Sequence, residues 1–481
     1  MRDLGIDFGR GYTKIAILDE SDQPKLDDHD QEEVPSPVSS QILYSDPGCH
    51  SLCCIGDKAD ILLEPSQNCL IRNIQNSPPE SDHWVDYFRY LLTRRGLLFE
   101  NMSNASILLP ISSEWYNDAS HPGPKRLKNT FEKVGYKSHK IHFQEKSVCA
   151  AAYFKFKQSY IKDPINLLII DIGYASFETT LIHIDGNIYR KLFQRVTEGA
   201  GRDFDVSLTN AACQAAYSSI PKDKVLFERL VKQFEAAKID LDEEELEICN
   251  EKILDYADLR DTPVYQNIDG QYKLNVTQVW QSFMPFKQKC EKILEGLKVD
   301  PDYVYIIGGF SQYPLVKKYI IDALSKKLTN DFIFNFDPVG GTALGACLMI
   351  NGIVKAQIPY EHTIGLVGYG IRDGMLQRME MPLILADQAF IEDSICAEFN
   401  SAERLVIQVK ANNPDALPIF FKENGGNQCL TIKAKTLGMR RPPAGQYTVE
   451  YTIDRFRNIQ LSLINKENNQ SYPFQIDNPI K

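Results

Sequence analysis

The hydrophobic pattern at the start of the chain predicts a β-hairpin. Residues 4–6 form a short apolar run, Gly9 and Gly11 flank a turn, and apolar residues then alternate with polar ones through residue 17. A period of two is typical of a strand with one buried face, and glycines permit the tight turn between two such strands. Asp7 is therefore expected at the end of the first strand.

The same pattern returns about 165 residues later in the chain. The segment NLLIIDIGYASFETTLI places Asp171 and Gly173 as LGIDFGRGYTKIAIL places Asp7 and Gly9. This spacing is far longer than a solenoid repeat, so it indicates two similar lobes rather than an array of small units.

Helices and strands alternate between and after these hairpins. Apolar residues at helical spacing predict helices over residues 84–98, 125–133, 147–156, 222–240, 279–296 and 314–326, and strands are expected over residues 105–110 and 303–309. From residue 360 onward, short alternating strands and turn signals dominate. We therefore expect an α/β domain over residues 1–353 with a lobe boundary near residue 160, a linker over 354–360, and an all-β sandwich domain over 361–481.

Composition limits the class of protein. A chain of 481 residues is too long for one hydrophobic core. The net charge of -11 is spread along the chain and argues against a nucleic-acid surface. No apolar stretch reaches the length of a membrane span, and Asp3 and Asp7 interrupt the first residues in a way that argues against a signal peptide. These features predict a cytoplasmic protein that binds neither nucleic acid nor membranes.

The repeated Asp-x-Gly turns suggest phosphate chemistry. A carboxylate beside a phosphate would repel it, so Asp7 and Asp171 are expected to act together through the water shell of a magnesium ion. Gly9 and Gly11 would let backbone N–H groups approach phosphate oxygens. The chain contains no GK[ST] sequence, which argues against a P-loop enzyme.

A succession of motifs resembles the ATPase domain of the DnaK-type heat-shock chaperones, within the wider actin-like fold. The motifs are GIDFGRGYTK, QEKSVCAAAY, IIDIGYASFETT, EGAGRDFD, FEAAK, IIGGFSQYP and DPVGGTALGA. They cover about residues 3–352. HTIGL and GMRRPPAGQYTVEYTIDRFRNIQLSLI are similar to that family's β-sandwich peptide-binding domain. The resemblance indicates a two-lobed actin-like ATPase domain with a duplicated core, in a divergent member that we expect to lack the C-terminal helical lid.

This resemblance implies roles for individual residues. Asp7 and Asp171 would hold the magnesium-water shell, Glu145 would bridge the lobes near the attacking water, and Glu178 would orient that water. Arg72 is our candidate for the family's catalytic lysine. The implied nucleotide contacts are Gly9, Arg10, Gly11, Tyr12, Gly173, Tyr174, Ala175, Ser176, Gly201, Glu235, Lys238, Gly308, Gly309 and Gln312.

The chain also departs from the family pattern. Arg10 stands where the family has a threonine, and Tyr174 stands where it has a glycine. Ile239 and Gln312 stand where it has two arginines that stack on adenine, and Lys146 replaces a proline. The linker VKAQIPY lacks the family's leucines. We therefore expect weak adenine stacking and weak coupling between the domains.

Three functions are compatible with these residues. The leading hypothesis is a chaperone-like protein that binds ATP or ADP with magnesium, hydrolyses ATP slowly and binds unfolded or extended apolar peptides, with co-chaperones and nucleotide-exchange factors as further partners. The first alternative is a catalytically degenerate nucleotide- or peptide-binding module. The second is a kinase of the same fold that acts on a small molecule.

Overall fold

A computed structural model gives the structure of this protein over most of its length. It describes residues 3–27, 37–46, 48–49, 51–62, 69–98, 105–117, 121–217, 223–239, 263–267, 270–359, 362–372, 375–384, 406–409, 416–423, 429–436, 442–453 and 459–475.

The first lobe is built on a mixed sheet. Its strands are β1 (Leu4–Phe8), β2 (Tyr12–Leu18), β3 (Pro24–Leu26), β4 (Val38–Ser39), β5 (Gln41–Tyr44), β6 (Leu52–Ile55), β7 (Cys69–Arg72), β8 (Ile107–Ile111) and β9 (Ile141–Glu145). Its helices are α1 (Lys58–Ile61), α2 (His83–Arg94), α3 (Ser113–Asn117), α4 (Pro122–Val134) and α5 (Lys146–Lys157). The main sheet has the order β3-β2-β1-β8-β9, with β4 beside β2, and a smaller sheet has the order β6-β5-β7.

The second lobe repeats the topology of the first. Its strands are β10 (Ile165–Ile172), β11 (Ser176–Asp185), β12 (Ile188–Glu198), β13 (Pro263–Gln266), β14 (Lys273–Asn275), β15 (Tyr303–Ile307) and β16 (Ile333–Phe334). Its helices are α6 (Gly201–Tyr217), α7 (Lys224–Ile239), α8 (Val276–Glu291) and α9 (Pro314–Leu324), and the next helix, α10 (Gly341–Ile350), packs on α5 and on strands β1, β2, β3 and β8 of the first lobe. The main sheet has the order β12-β11-β10-β15-β16.

The main sheets of the two lobes share strand directions as well as strand order. β1 is antiparallel to β2 and parallel to β8, and β10 is antiparallel to β11 and parallel to β15. The duplication that the two Asp-x-Gly segments predicted is therefore present in the backbone of both lobes.

Among the described residues, three large hydrophobic cores hold this arrangement together. One lies in each lobe, and a third is formed by α5 and α10 with the remaining faces of both main sheets. A Cβ added at Gly345 of α10 would overlap the carbonyl oxygen of Cys149 in α5. Glycine is therefore required there, because the two helices approach each other backbone to backbone.

The predicted helices are present, with shifted ends. The helix predicted over residues 279–296 begins earlier, at Val276, because Asn275 and Gln278 form a capping box that satisfies two backbone N–H groups at the helix start. The helix predicted over residues 84–98 ends at Arg94. None of the helices in the described ranges combines the length and the apolar character needed to cross a bilayer.

The segment that follows α10 is tied to the second lobe. Gln357 forms a parallel bridge with Ile188, the first residue of β12. The backbone N–H of Tyr189 donates to the carbonyl oxygen of Gln357 at 2.8 Å. The predicted linker therefore runs along the beginning of β12.

The described residues of the C-terminal region contain eight further strands. They are β17 (His362–Arg372), β18 (Met375–Ile384), β19 (Val406–Val409), β20 (Ala416–Glu423), β21 (Cys429–Thr436), β22 (Gly445–Ile453), β23 (Ile459–Asn465) and β24 (Ser471–Gln475). They pair in the order β18-β17-β20-β21-β24-β23-β22-β19. This agrees with the predicted β-rich texture, whereas the sandwich packing and the domain limits remain predictions. Residues 394–399, in the region where the sequence predicts short alternating strands and where we expect one of them, lie outside the described residues.

Candidate functional site

The two hairpins turn in the same way. The N–H of Gly9 donates to the carbonyl oxygen of Tyr12 at 3.0 Å, and the N–H of Gly173 donates to that of Ser176 at 3.1 Å. Asp7 pairs across the strands with Lys14. At the equivalent position of the second hairpin, Asp171 pairs with Glu178. The aspartates are thus equivalent, but their cross-strand partners have opposite charge.

Two lysines bind the aspartate of the first hairpin. The Nζ atom of Lys14 lies 3.1 Å from Oδ2 of Asp7, and the Nζ atom of Lys146 lies 2.8 Å from Oδ1. Burial alone would raise the pKa of Asp7, but the two ammonium groups outweigh it and hold that pKa at about 2. Asp7 is therefore ionised at any physiological pH.

Lys146 also interacts with the second hairpin. Burial lowers its pKa, but attraction to Asp7, Asp171 and Glu178 outweighs burial, so the net shift is upward and the ammonium charge is retained. The pKa of Asp171 is raised, chiefly by its burial. One lysine thus faces the strand-end aspartates of both lobes.

These contacts bear on the predicted magnesium ion. A water shell around magnesium needs free carboxylate oxygens, because magnesium prefers oxygen ligands. Both oxygens of Asp7 lie against ammonium groups instead. The hydrated magnesium ion predicted between Asp7 and Asp171 stays a prediction, and at Asp7 it would have to compete with two ammonium groups.

Gly308 brings the end of a third strand against Asp171. Its φ is +93°, which favours glycine, and a Cβ there would overlap the carbonyl oxygen of Ile172 and lie 2.6 Å from Oδ1 of Asp171. The predicted diglycine turn, Gly308 and Gly309, is therefore next to the aspartate of the second hairpin.

The two predicted catalytic glutamates converge on one hydroxyl. Oγ of Ser113 is hydrogen-bonded to Glu145 and lies 2.7 Å from Oε1 of Glu178. Gln194 Nε2 donates to both carboxyl groups, at 3.0 and 2.9 Å. The Nζ atom of Lys191 lies 3.2 Å from Glu145. The structure therefore brings Glu145 and Glu178 into one hydrogen-bonded cluster.

The charge of Glu145 affects the protonation of Glu178. Burial raises the pKa of Glu178 to about 7, and the charges of Asp171 and Glu145 act in the same direction. Glu178 therefore exchanges a proton near neutral pH, and its protonated form can donate a hydrogen bond to Ser113.

Four residues of this site did not stand out as site residues in the sequence: Lys14, Ser113, Lys191 and Gln194. The hairpin register alone could have placed Lys14 opposite Asp7. Lys191 and Gln194 reach the site from β12, whose irregular pairing with β11 hides any simple spacing. In the sequence, Lys146 stands out only because it replaces a proline of the family pattern.

The first predicted phosphate loop is tied down from β4 and β5. Between these strands, Ser40 donates its hydroxyl to the carbonyl oxygen of Gly9 at 2.8 Å and its N–H to that of Gly11 at 2.7 Å. Arg10, between the two glycines, is exposed. The loop therefore presents the Arg10 side chain outward while its glycine carbonyls are bonded.

The second predicted phosphate loop is tied to the start of α6. The carbonyl oxygens of Gly173 and Ala175 accept the N–H groups of Gly201 and Gly199, at 3.2 and 3.0 Å. This places Gly201 beside the loop, as the resemblance implied.

The lobes touch each other between these loops. A Cβ added at Gly11 would lie 2.6 Å from ring atoms of Tyr174, so Tyr174 packs directly on that glycine. The hydroxyl of Tyr12 donates to Glu235 of α7 at 2.9 Å, and Lys232 forms an ion pair with the same carboxylate at 2.7 Å. The departure from glycine at Tyr174 thus places an aromatic ring between the hairpin turns.

The predicted nucleoside contacts have protein partners in this structure. Lys238 forms a nearly buried ion pair with Asp205 at 2.6 Å. Gln312 donates to the amide oxygen of Asn335 at 3.2 Å. Ile239, at the end of α7, is 65% exposed. The roles of Glu235, Lys238 and Gln312 in nucleotide binding remain predictions.

Arg72 lies in the small three-stranded sheet. Its guanidinium donates to Oε1 of Gln41 at 3.3 Å. Gln41 follows Ser40, the residue that holds the first loop. Arg72 is therefore linked to that loop through β5, and a catalytic role for it remains a prediction.

Comparison with known protein families identifies the family of the chain. A family model described as Hsp70 protein matches residues 97–358, more than half of the chain. The chain belongs to the Hsp70 family. This match covers the second hairpin, whereas the first hairpin and strands β17 to β24 lie outside the matched residues.

Curated relatives agree with this assignment at low identity. The chain is 24% identical over 302 residues to the chaperone protein DnaK of Carsonella ruddii, which is 59% of this chain and 47% of that protein. It is 22% identical over 315 residues to DnaK of Deinococcus radiodurans, with shares of 63% and 48%. It is 24% identical over 264 residues to heat shock cognate 70 kDa protein 3 of Dictyostelium discoideum, with shares of 53% and 39%. The chain thus spans less than half the length of each of these relatives.

Proposed function

We propose that this Hsp70 family member is a chaperone-like protein that binds ATP or ADP in the cleft between its lobes. The observation that carries the proposal is the pair of equivalent hairpins, whose turns and strand registers match and whose aspartates interact with the same Lys146. Two facing turns of this kind form a clamp for a chain of phosphates.

The proposed contacts follow from the position of each loop. Glycine turns at Gly9, Gly11 and Gly173 would receive the phosphates, together with Arg10. The other loop contacts would come from Tyr12, Tyr174, Ala175, Ser176 and Gly201. The nucleoside would lie against the Gly308 and Gly309 turn, with Glu235, Lys238 and Gln312 around it.

We propose that the site hydrolyses ATP slowly. Glu178 has a pKa near the working pH, which suits a group that accepts or returns a proton. Ser113 and Gln194 hold it beside Glu145. Lys191 and Ser113 contact Glu145, so this carboxylate is held in place next to Glu178.

A second candidate is a module that binds nucleotide without hydrolysing it. The packing of Tyr174 on Gly11 favours it, because the ring occupies space between the two phosphate loops. Binding would then require the ring to move. Single-turnover measurement of ATP hydrolysis separates the two candidates, since only the first predicts any phosphate release.

For the C-terminal strands we propose binding of extended apolar peptides. A peptide can add main-chain hydrogen bonds along a strand edge and place alternate side chains in apolar pockets. The support is the β-rich region itself and the kinship with proteins named DnaK. Co-chaperones, nucleotide-exchange factors and a cytoplasmic location are further parts of the proposal.

Calorimetric titration of the full chain with ATP and with ADP tests nucleotide binding. The variant Gly173→Leu is informative because a Cβ at this position meets only Oδ1 of Asp171, at 4.0 Å, so the side chain can start there without overlap and adds bulk to the loop proposed to receive phosphate. We expect binding by the wild type and at least a tenfold loss in the variant, which is about 1.4 kcal/mol.

The denaturation midpoint of Gly173→Leu serves as the control for folding. A midpoint close to that of the wild type assigns any lost affinity to the site. If the wild type binds neither nucleotide, or if Gly173→Leu binds as well as the wild type, nucleotide binding between the hairpins is wrong.

A further inference from the structure

Lys14 and Lys146 surround the buried carboxylate at the end of β1. Each ammonium group contacts a different oxygen of Asp7, at 3.1 and 2.8 Å. Together they bring two positive charges, the charge of one divalent cation, to a single carboxylate. Asp7 neutralises half of this charge, and Lys146 is also attracted to Asp171 and Glu178.

The exposure of these side chains shows which charge a ligand meets first. The side chain of Asp7 is 6% exposed, whereas those of Lys14 and Lys146 are 17% and 22% exposed. The carboxylate therefore lies behind its two cations. A ligand that enters from the cleft meets ammonium groups, each of which has three N–H donors and needs only one of them for Asp7.

The position of each lysine is set by the backbone. Lys14 stands directly opposite Asp7 in the β1–β2 pairing. Lys146 is the first residue of α5, where the helix dipole disfavours a cation. Its attraction to Asp7, Asp171 and Glu178 compensates for this unfavourable location. Both cations are thus held by fixed elements rather than by a mobile loop.

We infer that Lys14 and Lys146 take the place of a divalent cation, so that this chain binds the polyphosphate of its nucleotide without metal. The inference rests on the proposed function, because it concerns the same cleft and the same ligand class, a nucleoside di- or triphosphate. Ammonium groups donate directly to phosphate oxygens, and charge-assisted hydrogen bonds of this kind are the strong ones.

A hydrated divalent cation would be disfavoured at the same position. It would approach two fixed ammonium groups within a partly buried site, where like charges repel more strongly than in water. It would also compete for Asp7 with partners that are covalently part of the chain and already in place. Lys14 and Lys146 are therefore specificity-determining residues for metal-free nucleotide.

The first test compares the wild-type full chain with ADP and with ATP, each in excess magnesium and in excess chelator. We expect dissociation constants that agree within about twofold between the two conditions. Binding at least tenfold weaker in chelator would overturn the inference and leave the proposed nucleotide binding intact. Absence of binding in both conditions would reject the proposed function itself, and the inference with it.

Substitutions then assign the effect to the two lysines. In Lys14→Gln and Lys146→Gln we expect metal-free affinity to fall at least tenfold and to recover in part with magnesium, because an oxygen of Asp7 becomes free. Lys155→Gln is the matched control, since Lys155 lies on the same helix and pairs with Asp163 away from the cleft. Equal metal-free affinity in all three variants would overturn the inference.

The variant Asp7→Asn addresses the case in which a lysine variant fails to fold. It keeps both lysines and removes the carboxylate that neutralises them. We expect metal-free binding to be retained or strengthened, since the ammonium groups lose a competitor for phosphate. A tenfold loss of metal-free affinity in folded Asp7→Asn would contradict the inference, because it would show that the carboxylate, rather than the lysines, is needed for the ligand.

Discussion

The two hairpins of the cleft share a backbone and differ in charge. β1–β2 and β10–β11 have equivalent turns, and each carries an aspartate at the end of its first strand. The cross-strand partner is Lys14 in one hairpin and Glu178 in the other. The pKa of Asp7 is held at about 2 by Lys14 together with Lys146, whereas that of Asp171 is raised, chiefly by its burial.

The backbone of the hairpin is duplicated, but its charged side chains are not. The first hairpin has become a cationic surface, whereas the second has become an acidic one that includes Glu178 with a pKa of about 7. Lys14 faces Asp7 across the strands and Lys146 contacts it from α5, so Asp7 keeps its charge, whereas burial dominates at Asp171.

The largest effect is expected from making the first hairpin resemble the second. Lys14→Glu replaces one partner of a buried ion pair by a like charge beside Asp7, and loss of a buried partner typically costs about 3–5 kcal/mol. Denaturant unfolding measures the loss. Lys133→Glu, at an exposed pair with Asp82, is the control and should cost less than about 1 kcal/mol. Equal losses in the two variants would contradict the prediction.

A smaller effect concerns pH and the second hairpin. Because folding raises the pKa of Glu178 from 4.5 to about 7, the native state holds this proton more tightly, and its stabilising contribution is lost as pH rises through that window. Glu178→Gln removes the titration while keeping a hydrogen-bonding side chain. The wild type should therefore lose about 1–3 kcal/mol more than the variant between pH 5 and pH 8.

Free energies of unfolding at several pH values, measured for both proteins, provide the check. Comparison of the two pH profiles removes contributions that other groups make equally to both. Parallel profiles for the wild type and Glu178→Gln would show that Glu178 is not the titrating group.

The smallest effect concerns the contact between the hairpins' lobes. Tyr12→Phe removes the hydrogen bond from the Tyr12 hydroxyl to Glu235, which keeps its ion pair with Lys232. We expect a loss of about 1 kcal/mol in the free energy of unfolding. Tyr160→Phe, at a side chain that is 73% exposed, is the control and should change little. If Tyr12→Phe lowers the free energy of unfolding no more than Tyr160→Phe does, this hydrogen bond does not stabilise the contact between the lobes.

Local patterns were sufficient to predict the duplicated hairpins and most helices. The alternation around Asp7 and Asp171 is a property of neighbouring residues, and so is the apolar spacing that predicted α5. The contacts of Lys146 were beyond such patterns, because the partner Asp7 is distant in sequence and long side chains find their partners only in the folded chain. For the same reason, the sequence could suggest Glu145 and Glu178 by resemblance but not the Ser113 hydroxyl between them.

The bridge between Gln357 and the start of β12 has a mechanical consequence. The same strand carries Lys191, which lies 3.2 Å from Glu145. An extended, hydrogen-bonded strand is stiff along its length, so a pull on the segment around Gln357 displaces the whole of β12 rather than only its first residues. Tension applied to the segment around Gln357 would thus act on the strand that carries Lys191, the ion-pair partner of Glu145.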